Sequence, residues 1–271
     1  MKKVIVSGAF DNLSSRDMRF LEEASKLGEL HLLLWSDEAV QAITGKAPKF
    51  PLAEREYFVQ ALRYLAGLHV SHVNLNANEL PEIEGLHPDV WAVEQRDDNA
   101  AKAAFARSKG IEYHVISEAE CAGYPAPSGQ SLTPGAKKVI VTGCYDWFHT
   151  GHVRFFEEVS ELGDLHVVVG HDENIRLLKG EGHPMFNELE RRYIAGSLRY
   201  VKQAFISSGN GWMDAEPEIA LIKPDIYAVN EDGDKPEKRE FCQKHGLEYV
   251  VLKRTPKPGL TKRSSTDLRG F

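Results

Sequence analysis

The feature that most restricts what this chain can fold into is that it contains the same sequence twice. Residues 2–31 align without a gap on residues 137–166, and 16 of the 30 positions are identical. Unrelated segments of that length would share about two, from ordinary residue frequencies. The similarity returns one residue out of step at Leu62-Arg63-Tyr64 against Leu198-Arg199-Tyr200. It continues at Pro88-Asp89 against Pro224-Asp225, and at Gly110-Ile111-Glu112-Tyr113 against Gly246-Leu247-Glu248-Tyr249. Between the copies, residues 124–136 are rich in Pro, Gly and Ser and read as a linker. A length of 271 residues admits one large domain or two. The repeat predicts two, over residues 1–123 and 137–271, joined by the linker 124–136.

Each copy has the same coarse pattern. A short apolar run (Val4–Val6, Val139–Val141) enters a glycine-containing turn and then an amphipathic helix, on which Val153, Phe156, Val159 and Leu162 fall at helical spacing. Further strands are expected at 31–35 and 165–169, at 90–93 and 226–229, and at 112–116 and 248–252. Helices are expected around 54–65 and 190–201. Alternating strands and helices predict two parallel, doubly wound α/β domains of Rossmann-like type. Ligands in such sheets bind at the carboxyl ends of the strands, where the first strand–helix turn lies.

Composition narrows the function. At 42% hydrophobic and 27% charged, the chain is an ordinary globular sequence. Its net charge of −7 argues against nucleic-acid and anionic-membrane partners, which favour basic surfaces. Cys121, Cys144 and Cys242 have neither the even count of a disulfide framework nor zinc-ligand spacing, so a reducing, cytoplasmic setting is expected. The apolar run after Met1 is too short for a signal-peptide core, and no stretch reaches membrane-spanning length.

The copies differ at the first turn. Copy two reads Thr142-Gly143-Cys144-Tyr145-Asp146-Trp147-Phe148-His149-Thr150-Gly151-His152. A helix N-terminus offers free N–H donors and the positive end of a dipole, so this turn suits a phosphate. Gly151 lets an anion approach the backbone, and two imidazoles can donate to phosphoryl oxygens. Two surface histidines beside a helix start is the plainer alternative. Copy one carries Ser14, Ser15, Arg16 and Asp17 here, although Asp11, Arg19, Phe20, Glu22 and Glu23 match their counterparts. An aspartate at the helix start repels an incoming phosphate, so one working site is expected, in copy two.

The stretch from Gly143 to His152 resembles the HxGH signature of the cytidylyltransferase-like nucleotidyltransferase superfamily, in particular the glycerol-3-phosphate, phosphocholine and phosphoethanolamine cytidylyltransferases. Lys179-Gly180-Glu181-Gly182-His183-Pro184 resembles the family's flexible Lys-Gly segment. Glu190-Arg191-Arg192-Tyr193 resembles its arginine-bearing helix. Arg254-Thr255 with Ser264-Ser265-Thr266 resembles its Arg-Thr … Ser-Thr ending. The motifs fall in family order and cover residues 137–271. The tandem layout resembles the phosphoethanolamine enzymes, whose first domain is normally the active one; here the order is reversed. Two stretches depart from the pattern. Residues 229–235 replace a Gly-Asp-Asp-Trp-like stretch, and eight residues, with Lys257, Lys262 and Arg263 among them, separate Thr255 from Ser264.

The resemblance implies transfer of CMP from CTP to a small phosphorylated alcohol (phosphoethanolamine, glycerol 3-phosphate or a similar polyol phosphate), with release of pyrophosphate. That chemistry serves phospholipid-precursor biosynthesis. His149, His152 and Lys179 are the implied catalytic residues. Gly143, Cys144, Tyr145, Gly151, Arg191, Arg254, Thr255, Ser264, Ser265 and Thr266 would bind the nucleotide. Asp146, Asp172, Asn230, Asp232 and Trp212 would support the acceptor or the metal. Magnesium is expected to enter on the CTP phosphates, without a fixed protein-only site. For Arg191 a charged helix face, for Asp146 a turn cap, and for Trp212 packing are the competing readings. An ATP-dependent adenylyltransferase of the same superfamily is the alternative activity, and a non-catalytic nucleotide sensor or scaffold the remote one. A homodimer, or a pseudo-dimer of the two copies within one chain, fits the pairing of related single-domain enzymes.

Overall fold

The computed structural model describes residues 1–71, 75–265 and 268. It divides into two compact units, Met1–Gly123 and Tyr124–Phe271. In the first unit the elements run β1 (Lys3–Gly8), α1 (Ser15–Ser25), β2 (Glu29–Leu34), α2 (Asp37–Thr44), α3 (Leu52–Gln60), β3 (Gly67–Val70), β4 (Val90–Glu94), α4 (Ala100–Lys109) and β5 (Glu112–Ile116). In the second they run β6 (Lys138–Gly143), α5 (Thr150–Ser160), β7 (Asp164–Val169), α6 (Asp172–Lys179), α7 (Glu188–Gly196), β8 (Val201–Ile206), α8 (Glu216–Ile222), β9 (Ile226–Asn230), α9 (Pro236–His245) and β10 (Glu248–Leu252). Each unit is a five-stranded parallel sheet, ordered β3-β2-β1-β4-β5 and β10-β9-β6-β7-β8. Both are doubly wound α/β folds of Rossmann-like type. The chain order reverses beside β1 and β6, which opens a crevice at the carboxyl ends of the strands.

The shared sequence explains the shared geometry. The apolar runs become central strands because both their faces are covered. Val4, Ile5 and Val6, like Val139, Ile140 and Val141, are fully buried. The helical stripe of α5 buries Val153, Phe156 and Val159 against the sheet, and α1 buries Met18, Leu21 and Ala24. Before β2 and β7 stand Gly28 and Gly163, where an added Cβ would lie 2.2 Å from the carbonyl oxygen of Lys2 or Lys137. Only glycine fits there, so the second strand of each copy enters at the same register, Lys3 opposite Glu29 and Lys138 opposite Asp164.

The structure departs from the expected elements at the helix over 190–201. Helix α7 ends at Gly196, Leu198 through Tyr200 turn, and Val201 enters β8 beside Leu165. Burial of Val201 in the sheet outweighs continuation of the helix. The proline- and serine-rich residues 124–136 fall in the second unit. Gln130 N–H donates to Lys202 O at 2.9 Å, and Thr133 donates through its N–H and hydroxyl to Asp164. No helix among the described residues is long and apolar enough to cross a membrane.

Candidate active site

A cleft of about 530 Å³ opens at the carboxyl edge of the second sheet, lined from the turn after β6, the end of α6, the loop after β9 and the C-terminal segment. His149 has extended backbone (φ −148°) and caps α5, its Nδ1 accepting the N–H of Gly151 at 3.0 Å. Because Nδ1 is an acceptor, the proton of the neutral ring sits on Nε2. Gly151 is required by this arrangement, since a Cβ there would lie 2.7 Å from His149 Cε1. One turn on, the His152 ring lies 4.1 Å from that of His149, centroid to centroid, and is flanked by Phe148 and Tyr145. Burial first, then the neighbouring His149, Arg254 and Lys179, hold the His152 imidazole well below its usual range. It is neutral at pH 7, and its Nδ1 has no hydrogen-bond partner among the described residues.

The turn itself is built on a strained residue. Tyr145 sits at φ +52°, folding its ring back over Gly143, where a Cβ would meet it at 2.8 Å. Phe10 does the same in copy one at φ +44°, over Gly8. Such a conformation is costly outside glycine and is maintained by its surroundings. The aromatic–glycine turn is therefore scaffold, and only what it presents differs. In the first unit Ser14 and Asp17 form a capping box, Arg96 pairs with Asp17 and Glu94, and Arg16 pairs with Glu94 and Glu118. Carboxylates of the chain occupy the donors there.

The remaining walls of the second cleft are mostly cationic. Lys179 closes α6, and Arg254 donates to Asp232 at 2.7 Å. Asn230, Asp232 and Ser265 line the cleft, Ser265 donating its hydroxyl to Trp147 O at 3.1 Å. Cys144 also lines it; burial pushes its thiol up despite Lys179 and Arg191 nearby. Asp146 accepts the N–H groups of Met185 and Phe186 through Oδ1, pinning the loop after Lys179. Its Oδ2 is buried with no hydrogen-bond partner among the described residues, 3.9 Å from His183 Nδ1. Among the described residues no group of three His, Cys, Asp or Glu gathers to hold a metal ion.

Several expected site residues lie elsewhere. Arg191 is fully buried and is not among the residues that line the cleft. Its guanidinium donates to the carbonyls of Phe186, Cys144 and Gly170 and to Asp172 at 2.6 Å. Arg55 repeats this with Phe50, Ala9, Trp35 and Asp37. The arginine is a strut binding the first turn to the neighbouring strand end, and Asp172 is its partner. That explains why copy one keeps it without the histidines. Trp212 lies on a 3₁₀ turn, half exposed, away from the cleft wall. Thr255 lines a small recess beside the cleft, and Ser264 lines neither. Thr266 lies outside the described residues. Thr142 and His183, inside the quoted motifs but given no role there, also line the cleft, as do Phe155 and Lys238, which no sequence motif marks. His183 was within reach, inside the segment from Lys179 to Pro184. Lys238 was not, because a lysine on a charged helix looks solvated.

Two imidazoles, a helix N-terminus, a lysine and an arginine thus face one volume, an arrangement suited to a polyphosphate. Comparison with known proteins agrees. Residues 140–270 match the family model described as cytidylyltransferase-like. The FAD synthase of Ferroglobus placidus is 36% identical over 120 residues, covering 43% of this chain and 75% of that protein. The bifunctional protein HldE of Desulfatibacillum aliphaticivorans is 37% identical over 127 residues, 45% of this chain but 25% of that protein. Among solved structures, the lipopolysaccharide core biosynthesis protein from Thermoplasma volcanium GSS1 is 26% identical with a TM-score of 0.38, covering 45% of this chain and 99% of that one. The chain belongs to the cytidylyltransferase-like family of the nucleotidyltransferase superfamily, and is an enzyme of that type.

Proposed function

We propose that the second unit transfers a nucleotidyl group from a nucleoside triphosphate to the phosphate of a small phosphomonoester, and that the first unit does not. The observation that carries this is the His149–Gly151–His152 turn, which presents donors in copy two where copy one presents Asp17. An acceptor phosphate oxygen attacks the α-phosphorus in line, the bond to the β-phosphate oxygen breaks, and pyrophosphate leaves. No covalent enzyme intermediate is required, so the protein positions the reactants and stabilises charge. His149 Nε2–H and His152 donate to the oxygens where charge grows. Lys179 and Arg254 neutralise the leaving phosphates, Ser265 and the backbone from Gly143 to Tyr145 seat the nucleotide, and Asn230 and Asp232 line the opposite wall. Magnesium would travel with the triphosphate, and Asp146 Oδ2, which has no hydrogen-bond partner among the described residues, fits its preference for carboxylate oxygen.

The donor has two readings. FAD contains an adenylyl group, so a relative named for making FAD favours ATP. The family description and the signature resemblance favour CTP. Pyrophosphate release with ATP, CTP, UTP and GTP, over glycerol 3-phosphate, phosphoethanolamine, FMN and sugar phosphates, separates them. His152→Ala is expected to lower turnover roughly 10²–10³-fold, the usual cost of an oxyanion donor, while Ser14→Ala leaves it unchanged. Equal losses in both variants would defeat the one-site reading.

A further inference from the structure

Outside the proposed phosphate-binding donors, the described residues of the cleft include one further lysine. Lys238 is the third residue of α9 and lines the cleft beside Val229, Asn230 and Gly233. Its ammonium lies 5.8 Å from the Tyr227 ring centroid and makes no ion pair or side-chain hydrogen bond among the described residues. The third residue of α4, Lys102, is its counterpart in the first unit, and there the ammonium donates to the carbonyl of Asp97 at 2.7 Å. The same lysine is thus tied to backbone where the site is dismantled and left unspent where it is intact. Partial burial first, and then the like charge of Lys235, disfavour its charge, which Asp214 and Asp232 offset only in part. Asp214 accepts from Ser207, and Asp232 is paired with Arg254.

The charged groups lining the cleft are Asp146, Lys179, Asp232, Lys238 and Arg254, with His149, His152 and His183. Asp232 is committed to Arg254, and Asp146 is held by the Met185 and Phe186 N–H groups on the side of the cleft that carries His183. Among the described residues the wall after β9 therefore offers an unspent positive charge and no unspent carboxylate. An acceptor whose head is an ammonium would meet a like charge there, while hydroxyl, carbonyl or carboxylate oxygens would satisfy the lysine.

Resting on the nucleotidyltransferase reading above, we propose that Lys238 sets acceptor specificity: the acceptor is a phosphomonoester with an oxygen-rich neutral or anionic head, such as a polyol phosphate, and not an amino-alcohol phosphate. Like-charge repulsion at a partly screened site corresponds to about tenfold discrimination.

The test compares glycerol 3-phosphate, FMN, 3-phosphoglycerate, phosphoethanolamine and phosphocholine in two assays. One is pyrophosphate release with the donor the wild-type chain prefers. The other is calorimetric binding to the chain loaded with a non-hydrolysable analogue of the triphosphate. The expected result is at least one oxygen-rich acceptor favoured about tenfold or more over both amino-alcohol phosphates. Lys238→Met should raise that acceptor's KM about tenfold, the loss of one charged hydrogen bond, with the triphosphate KM unchanged. Lys238→Glu should shift preference toward phosphoethanolamine. Preference of the wild-type chain for an amino-alcohol phosphate overturns the proposal. So does a Lys238→Met effect confined to the triphosphate KM, which would assign the lysine to the nucleotide. Selective binding without turnover keeps this specificity and fails the enzymatic reading instead; neither binding nor turnover of any acceptor overturns both.

Discussion

Gly151 shows how one residue's absent side chain positions another's reacting atom. His149 folds back to cap its own helix, and only a residue without a Cβ leaves room for that ring. Gly151→Ala should displace His149 and lower kcat by roughly 10²-fold, on the scale of a lost transition-state donor, with a thermal melting temperature near wild type. A variant that melts early but keeps its kcat would show the glycine to be structural only. The histidines were legible because two imidazoles three residues apart at a helix start lie one turn from each other, beside the same free N–H groups. The partners of Arg191 were not legible because sequence gives an arginine's charge but not its direction. A guanidinium with every partner a carbonyl or an aspartate looks the same in sequence as one awaiting phosphate.

At the scale of elements, the struts Arg191 and Arg55 join the turn after the first strand to the end of the second and to the start of α7 or α3. Each is almost fully buried, so truncation strands several carbonyls and an aspartate. Arg191→Ala and Arg55→Ala should each destabilise their own unit by about 3–5 kcal/mol, as for a broken buried ion pair, measured by denaturant unfolding. A change in triphosphate KM with unfolding unaltered would return Arg191 to the phosphate. The end of α7 was not legible for a related reason: the helix stops at Gly196, where the Ser197 N–H caps it, and Val201 pairs with Leu165 in the sheet, a distant partner. The cap at Ser14 is a smaller element device; Ser14→Ala should cost the first unit about 1 kcal/mol.

At the scale of the whole molecule, pH is the common lever on the two units. Burial lowers the imidazoles of His31 and His69 in the first unit and of His152 and His166 in the second below the ordinary 6.5. The unfolded chain then takes up these protons before the folded one. Stability is therefore complete above about pH 6.5 and declines as pH falls toward the lowered folded values. Melting temperature should fall between pH 7 and 5, before the depressed carboxylates of Asp164 and Asp234 contribute at still lower pH. In His69→Phe, which installs the residue that copy two has at Phe205, that decline should flatten for the first unit; an unchanged slope would exclude the His31–His69 pair as its source. The sequence by itself determined the duplication, the parallel α/β class and the histidine turn, because these rest on local periodicity and spacing that survive without knowledge of neighbours. Tertiary structure alone decided that Arg191 is a strut, that Trp212 stays out of the cleft and that Lys238 enters it. Each of those outcomes depends on which distant backbone groups a side chain meets once the strands have been ordered.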